Sequence, residues 1–182
     1  MAAARARSTP CGGAYSRLAE PGWADPLDTS WSRRAGGRWN ARGSYGVLYL
    51  NGSDELARLQ VAHKLAGQPF GVEDLDPSEQ HDLVRVDVAD REARDCVTAD
   101  GLAAVGLPAS YPRDHAGDLV GHERCQPLGA DARDDGLAGV LCRSAAGRGR
   151  HDHELALFDS AIDAVTQGER LPFDRWYWGA RS

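Results

Sequence analysis

Several signatures that would narrow the function at once are missing from this chain. The four cysteines, Cys11, Cys96, Cys125 and Cys142, include no C-x-x-C pair, and a chain of this size needs no disulfide staples, so free thiols in a reducing cytoplasm are expected. No apolar run approaches the ~20 residues that cross a bilayer. The opening MAAARARSTPCGG has arginines and small residues but not the apolar segment of a secretory signal. The glycines after Trp31 do not make G-x-G-x-x-G and no G-x-x-x-x-G-K-[ST] occurs, which disfavours two common nucleotide-binding folds. Basic residues are also in deficit, 21 Lys and Arg against 27 Asp and Glu for a net charge of -6. Such a balance argues against a protein that binds nucleic acid over its whole surface. Any anion it holds must sit on a local basic patch.

What is present fits one domain, because 182 residues allow one sizeable core and hardly two. Residues 1–13 are expected to be a flexible extension and 14–182 the domain. A strand candidate in AYSRLAE leads into a Pro-rich loop, and WSRRAGGRWNARGSYG reads as a second loop. It delivers the chain into a buried strand at Val47, Leu48, Tyr49 and Leu50. Asn51-Gly52 should turn the chain, Ser53 should cap a helix over DELARLQVAHKL, Asp54 and Glu55 suit its positive end, and Gly67 closes it. Leu56, Leu59 and His63 take the spacing of a core-facing stripe, with Gln60 in the slot where another apolar residue belongs. LVRVDV, LAGVLCRS and HELALFDS read as strands, and CVTADGLAAVGL as a strand or turn followed by a short helix. A longer helix falls within GDLVGHERCQPLGADARDDG, where Val120, Cys125, Leu128 and Ala132 form a partial stripe and Pro127 blurs the start. Strands and helices mix without a βαβ rhythm, which predicts an α+β, sandwich-like domain rather than a doubly wound sheet.

The local basic patch is in the second loop. From Ser30 to Ser53 there are four arginines, Arg33, Arg34, Arg38 and Arg42, and no acidic residue. Guanidinium forks match phosphate oxygens in pairs and neighbouring glycines let backbone N–H groups approach an anion, although such a run can equally be a solvated loop. Arg38-Trp39-Asn40 adds a stacking surface, which suits a nucleotide. Arg143 and Ser144 at a strand end could bond a phosphate or ribose oxygen, while serines in loops more often make turns. The His151-Asp152-His153 run has no third metal ligand spaced near it and reads as a solvated loop. His122 belongs to no H-E-x-x-H motif, and Asn51-Gly52-Ser53 is explained as turn and cap.

Taken together and in order, Arg17, the Gly-Gly-Arg-Trp-Asn block, the Leu-Tyr-Leu strand, the later Ser-Ala pair and ELALFD resemble a RES domain, over about Arg17 to Phe158. The resemblance implies a compact fold like the ADP-ribosyltransferases and consumption of NAD, by hydrolysis, by phosphorolysis or by transfer of ADP-ribose to a protein. It implies pairing with a DNA-binding antitoxin of helix-turn-helix type; such a reaction requires no metal, and the charge balance and lack of long apolar runs lead us to expect no direct contact with nucleic acid and no membrane. By position, Arg17, Arg38, Tyr49 and Ser144 match the family's arginines, strand tyrosine and serine. The family's glutamate falls on Gln60. Under this reading Arg17 and Arg38 hold the pyrophosphate, Tyr49 meets the nicotinamide riboside, Gln60 orients the ribose hydroxyls and Ser144 contacts a phosphate or ribose oxygen. Cleavage builds positive charge on the ribose that a carboxylate would stabilise. An amide accepts hydrogen bonds but carries no charge, so a non-catalytic NAD or ADP-ribose binding module is the competing expectation.

Overall fold

Local chemistry sets most of the elements. The computed structural model describes residues 7–147 and 152–179. In chain order it contains β1 (Ser8–Pro10), β2 (Gly13–Ala19), α1 (Ser30–Ala35), β3 (Val47–Asn51), α2 (Asp54–Leu65), β4 (Asp82–Val88), β5 (Glu92–Cys96), α3 (Ala99–Ala104), α4 (His122–Asp134), β6 (Gly139–Arg143), β7 (His153–Phe158), β8 (Val165–Leu171) and α5 (Phe173–Tyr177). Ser53 caps α2 as expected, its Oγ accepting the Leu56 N–H at 3.1 Å. Gly67 lies just past the end of α2 with φ at 81°, a backbone that glycine adopts without strain.

The eight strands form one mixed sheet in the order β1-β5-β6-β7-β3-β2-β4-β8. All pairs are antiparallel except β5 with β6. A parallel pair needs a crossover, and the segment carrying α3 and α4 supplies it. Val47, Ala156, Phe158, Val140 and Cys142 pack with Trp39, Leu102 and Cys125 on one face; Leu48, Leu50, Leu155 and Leu157 pack with Tyr15, Val84, Val86 and Val88 on the other. A third cluster joins Ala57 and Val61 of α2 to Leu83, Phe173 and Trp176. The fold is thus the expected α+β domain, built on one mixed sheet rather than on the sandwich-like arrangement expected, and Val84, Val86 and Val88 share one face as their alternation predicts.

Four local expectations are corrected, and one strand was not foreseen. Residues 8–10 are not a loose extension: they pair with Arg94, Ala93 and Glu92 as an edge strand, and Cys11 behind them is buried. Ser30–Ala35 is helical where a loop was expected. The core stripe of α2 is Leu56, Ala57 and Val61, while His63 faces solvent and Leu59 is half-buried, because β4 and α5 approach the helix from the Ala57 side. Pro127 lies inside α4 rather than marking its start. β8 is an added edge strand whose residues are mostly exposed, so its hydrophobic pattern was too faint to read.

Candidate active site

β2 and β3 pair at a single point, Ser16 opposite Asn51. Beyond that bridge the two strands part, and a cleft of about 270 Å³ opens between Arg17 and Leu18 on one side and Val47 and Tyr49 on the other, with Trp23 and Trp31 at its wall. The same two tryptophans line an adjoining cleft of about 380 Å³ that reaches Asp25, Asp28 and Arg34. Trp31 is 54% exposed, a large apolar ring left facing the opening.

Arg17 carries the charge of this cleft. It is only 8% exposed. One terminal nitrogen donates to the Asp28 carbonyl at 3.2 Å, the guanidinium stacks 5.6 Å from the Trp23 ring centre, and Nη1 is buried with no hydrogen-bond partner. Burial pushes its pKa down to about 10, against the pull of Asp28 and Asp25, so it remains cationic at neutral pH. A buried donor without an acceptor is costly, and this cationic side chain lines the cleft.

Tyr49 is held by the Gly-Gly-Arg-Trp-Asn loop. Its hydroxyl accepts the Trp39 N–H at 3.2 Å and donates to Asn40 Oδ1 at 3.1 Å. Asn40, fully buried, donates in turn to the carbonyls of Ser32 and Tyr45. A Cβ on Gly37 would overlap the Tyr49 hydroxyl, which explains the glycine. Burial, opposed by the Trp39 bond and reinforced by Cys142, Tyr45 and Glu154, raises the phenol well above its ordinary range. Tyr49 is therefore a neutral hydrogen-bonding group in this site.

The predicted stacking residue is displaced. Trp39 is 1% exposed and packs against Tyr111, with α4 so close at Gly129 that a Cβ there would overlap the Trp39 carbonyl. Trp23 and Trp31 present rings to the cleft instead. The four-arginine clamp is also dispersed. Arg33 pairs with Asp159, Arg38 donates to the Val120 carbonyl at 2.7 Å, Arg42 faces solvent, and only Arg34 reaches the outer cleft. Arg143 donates to the carbonyls of Val97, Ala109 and Tyr111, a structural role.

Gln60 and Ser144 meet on a residue that sequence reasoning missed. Gln60 Nε2 donates to Glu154 Oε1 at 2.9 Å, and Ser144 Oγ donates to the same oxygen. Ser144 is buried, and its Oγ accepts the Ala146 N–H at 3.2 Å. A carboxylate only accepts, so the amide must turn its NH₂ toward it. Glu154 stands opposite Asn51 on β3 and opposite Cys142 on β6, and Tyr49 stands opposite Ala156. Tyr49 and Glu154 are hence diagonal neighbours on one face of the sheet, a relation that spans ~7–8 Å. The one signal in the sequence was an acidic residue opening the otherwise apolar strand HELALF.

Ser144 and Tyr111 line a further cleft of about 280 Å³, on the Ser144 side of Glu154. A larger cleft of about 460 Å³ lies among Arg91, Arg133, Gly136, Ala138 and Asp163. It contains none of the expected site residues, and two of its arginines already face carboxylates, Arg91 with Asp163 and Arg133 with Asp159. The Arg17 cleft is the better candidate because its cation has an unused donor. Of the metal-ligating residue types, no group of three comes together among the described residues, and none of the described helices is long and apolar enough to cross a membrane. His151 lies outside the described residues; His153 packs edge-on against Tyr15.

Comparison with known proteins bears on the family and the fold. No curated protein matches the chain. A chain of the solved M. tuberculosis MbcT-MbcA toxin-antitoxin complex is similar in fold, with a TM-score of 0.72 and 21% identity, over 91% of this chain and 86% of that one. The family model described as RES domain matches residues 14–176, nearly the whole described domain, and the chain belongs to that family.

Proposed function

We propose that this protein consumes NAD, breaking the bond between nicotinamide and ribose with phosphate or water as the acceptor, and that it acts as the toxin of a toxin-antitoxin pair. The observation that carries the reading is Arg17: a buried, cationic side chain with an unpartnered Nη1, opening on a cleft walled by Tyr49, Trp23 and Trp31. A guanidinium suits the oxygens of a diphosphate, and aromatic rings suit the flat bases at either end of a dinucleotide. Membership in the RES family supports the substrate, and the likeness to a chain of a toxin-antitoxin complex supports a protein partner. In this scheme Arg17 holds the diphosphate, the neutral Tyr49 packs on the nicotinamide riboside, its hydroxyl being engaged by Trp39 and Asn40, and Gln60 and Ser144 act near the ribose. Arg38 is assigned to the wall of the site, since its guanidinium is engaged by the Val120 carbonyl.

Nicotinamide release from NAD by the purified protein, measured with and without inorganic phosphate, tests this. Phosphate-dependent release identifies phosphorolysis, phosphate-independent release identifies hydrolysis, and binding of NAD without release would favour a binding module. Transfer of ADP-ribose to a protein, the second reading, predicts label from NAD on a polypeptide instead.

A further inference from the structure

A bond that leaves positive charge on ribose needs a carboxylate beside it, and the helix position expected to provide one holds an amide. The carboxylate stands across from it, on the neighbouring strand. We propose that Glu154 is the catalytic carboxylate of this site, relocated from α2 to β7, with Gln60 as its positioning residue; this rests on the reading of the protein as an NAD-cleaving enzyme.

Three observations converge on Glu154. Its Oε1 receives both the Gln60 amide and the Ser144 hydroxyl, while Oε2 has no hydrogen bond among the described residues and the side chain is only half-buried. One oxygen is thus fixed and the other is left for a ligand. Two donors on one oxygen hold the carboxylate in a single orientation, which is the condition for electrostatic stabilisation without reorganisation. Its place on the sheet, diagonal to Tyr49 through the pairs Asn51–Glu154 and Tyr49–Ala156, puts it on the face whose tyrosine lines the Arg17 cleft. The carboxylate also acts on that tyrosine directly, as one of the charges that disfavour its ionisation.

This arrangement explains why glutamine stands at position 60. A second carboxylate there would lie within hydrogen-bonding distance of Glu154, and two like charges at that separation cannot both remain ionised. An amide supplies the NH₂ that Glu154 accepts and leaves one full negative charge in the pair. The reaction then balances simply. The bond between ribose C1 and the pyridinium nitrogen breaks, and its electron pair leaves with nicotinamide, which becomes neutral. The cationic ribose is stabilised by Glu154 Oε2, and C1 forms a bond to an oxygen of phosphate. With water as acceptor, the proton released passes through Glu154 to solvent.

The test compares wild type, Glu154→Gln, Gln60→Glu and the exchanged double variant Gln60→Glu/Glu154→Gln, reading nicotinamide release, KM for NAD and Tm. Glu154→Gln should lower kcat by ~10²–10³-fold, the loss typical of one electrostatic stabiliser, with KM and Tm kept. The double variant, which restores one carboxylate and one amide to the pair, should recover most of that loss. Gln60→Glu alone should be slower than wild type. An active wild type whose kcat is unchanged in Glu154→Gln overturns the role of Glu154 and leaves the NAD reading standing. A gain of activity in Gln60→Glu overturns it too, because the carboxylate would then belong on α2. A wild type that binds NAD but releases no nicotinamide contradicts both.

Discussion

Gln60 on α2 and Glu154 on β7 are joined by one hydrogen bond, Nε2 to Oε1 at 2.9 Å, and that bond changes what the glutamine means. Alone on its helix it is a polar residue where the pattern wants an apolar one. Beside Glu154 it is the donor of a charged pair, with Ser144 as the second donor. The pair stands next to Tyr49, which is tied to the Gly-Gly-Arg-Trp-Asn loop, so three distant parts of the chain converge on one sheet face.

Arg17 should separate stability from binding. It is buried with one donor unused, and an unsatisfied buried polar group costs ~1–3 kcal/mol, more when charged. Arg17→Met should therefore keep or raise Tm in the absence of ligand and abolish the NAD-induced rise in Tm. Thermal melts with and without NAD check both.

Tyr49→Phe should be destabilising by about 1–3 kcal/mol, because it strands the Trp39 N–H and Asn40 Oδ1 in a buried loop. Gly37→Ala should weaken the same contact by crowding the phenol. Denaturant unfolding measures the loss, and KM for NAD should rise in both variants.

Alkali should unfold the protein through its buried acids. Burial raises the Cys11 thiol from 9.0 to about 11 and the Cys96 thiol to about 12, and lifts Tyr15 from 10.0 to about 12. In each case the native state keeps a proton that the unfolded chain releases, so this contribution to stability is whole below pH 9.0 and is lost as pH climbs through about 11 and 12. Tm should stay level up to pH 9.0 and fall steadily above it, and all four thiols should resist alkylation until the chain unfolds.

How much of this was legible in the sequence depended on range. Ser53 and the helix after it were readable because capping is settled within a few residues, and Val47–Leu50 because it is a short buried run. Gln60 was legible as an oddity, but its partner is 94 residues away, and nothing local marks Glu154 as more than a strand residue. Trp39 was misread because Gly-rich flanks suggest an exposed loop, whereas Asn40, bonded to the Ser32 and Tyr45 carbonyls, folds that loop inward under α4. The cleft itself comes from two strands parting after one bridge, a property of the sheet and not of either segment.

The most direct test is the identity of the products when the purified protein meets NAD in phosphate buffer. Cleavage at this site predicts free nicotinamide together with ADP-ribose carrying phosphate or hydroxyl at the ribose carbon released, in equal amounts. NAD that binds and is recovered unchanged, with no nicotinamide formed, would contradict it.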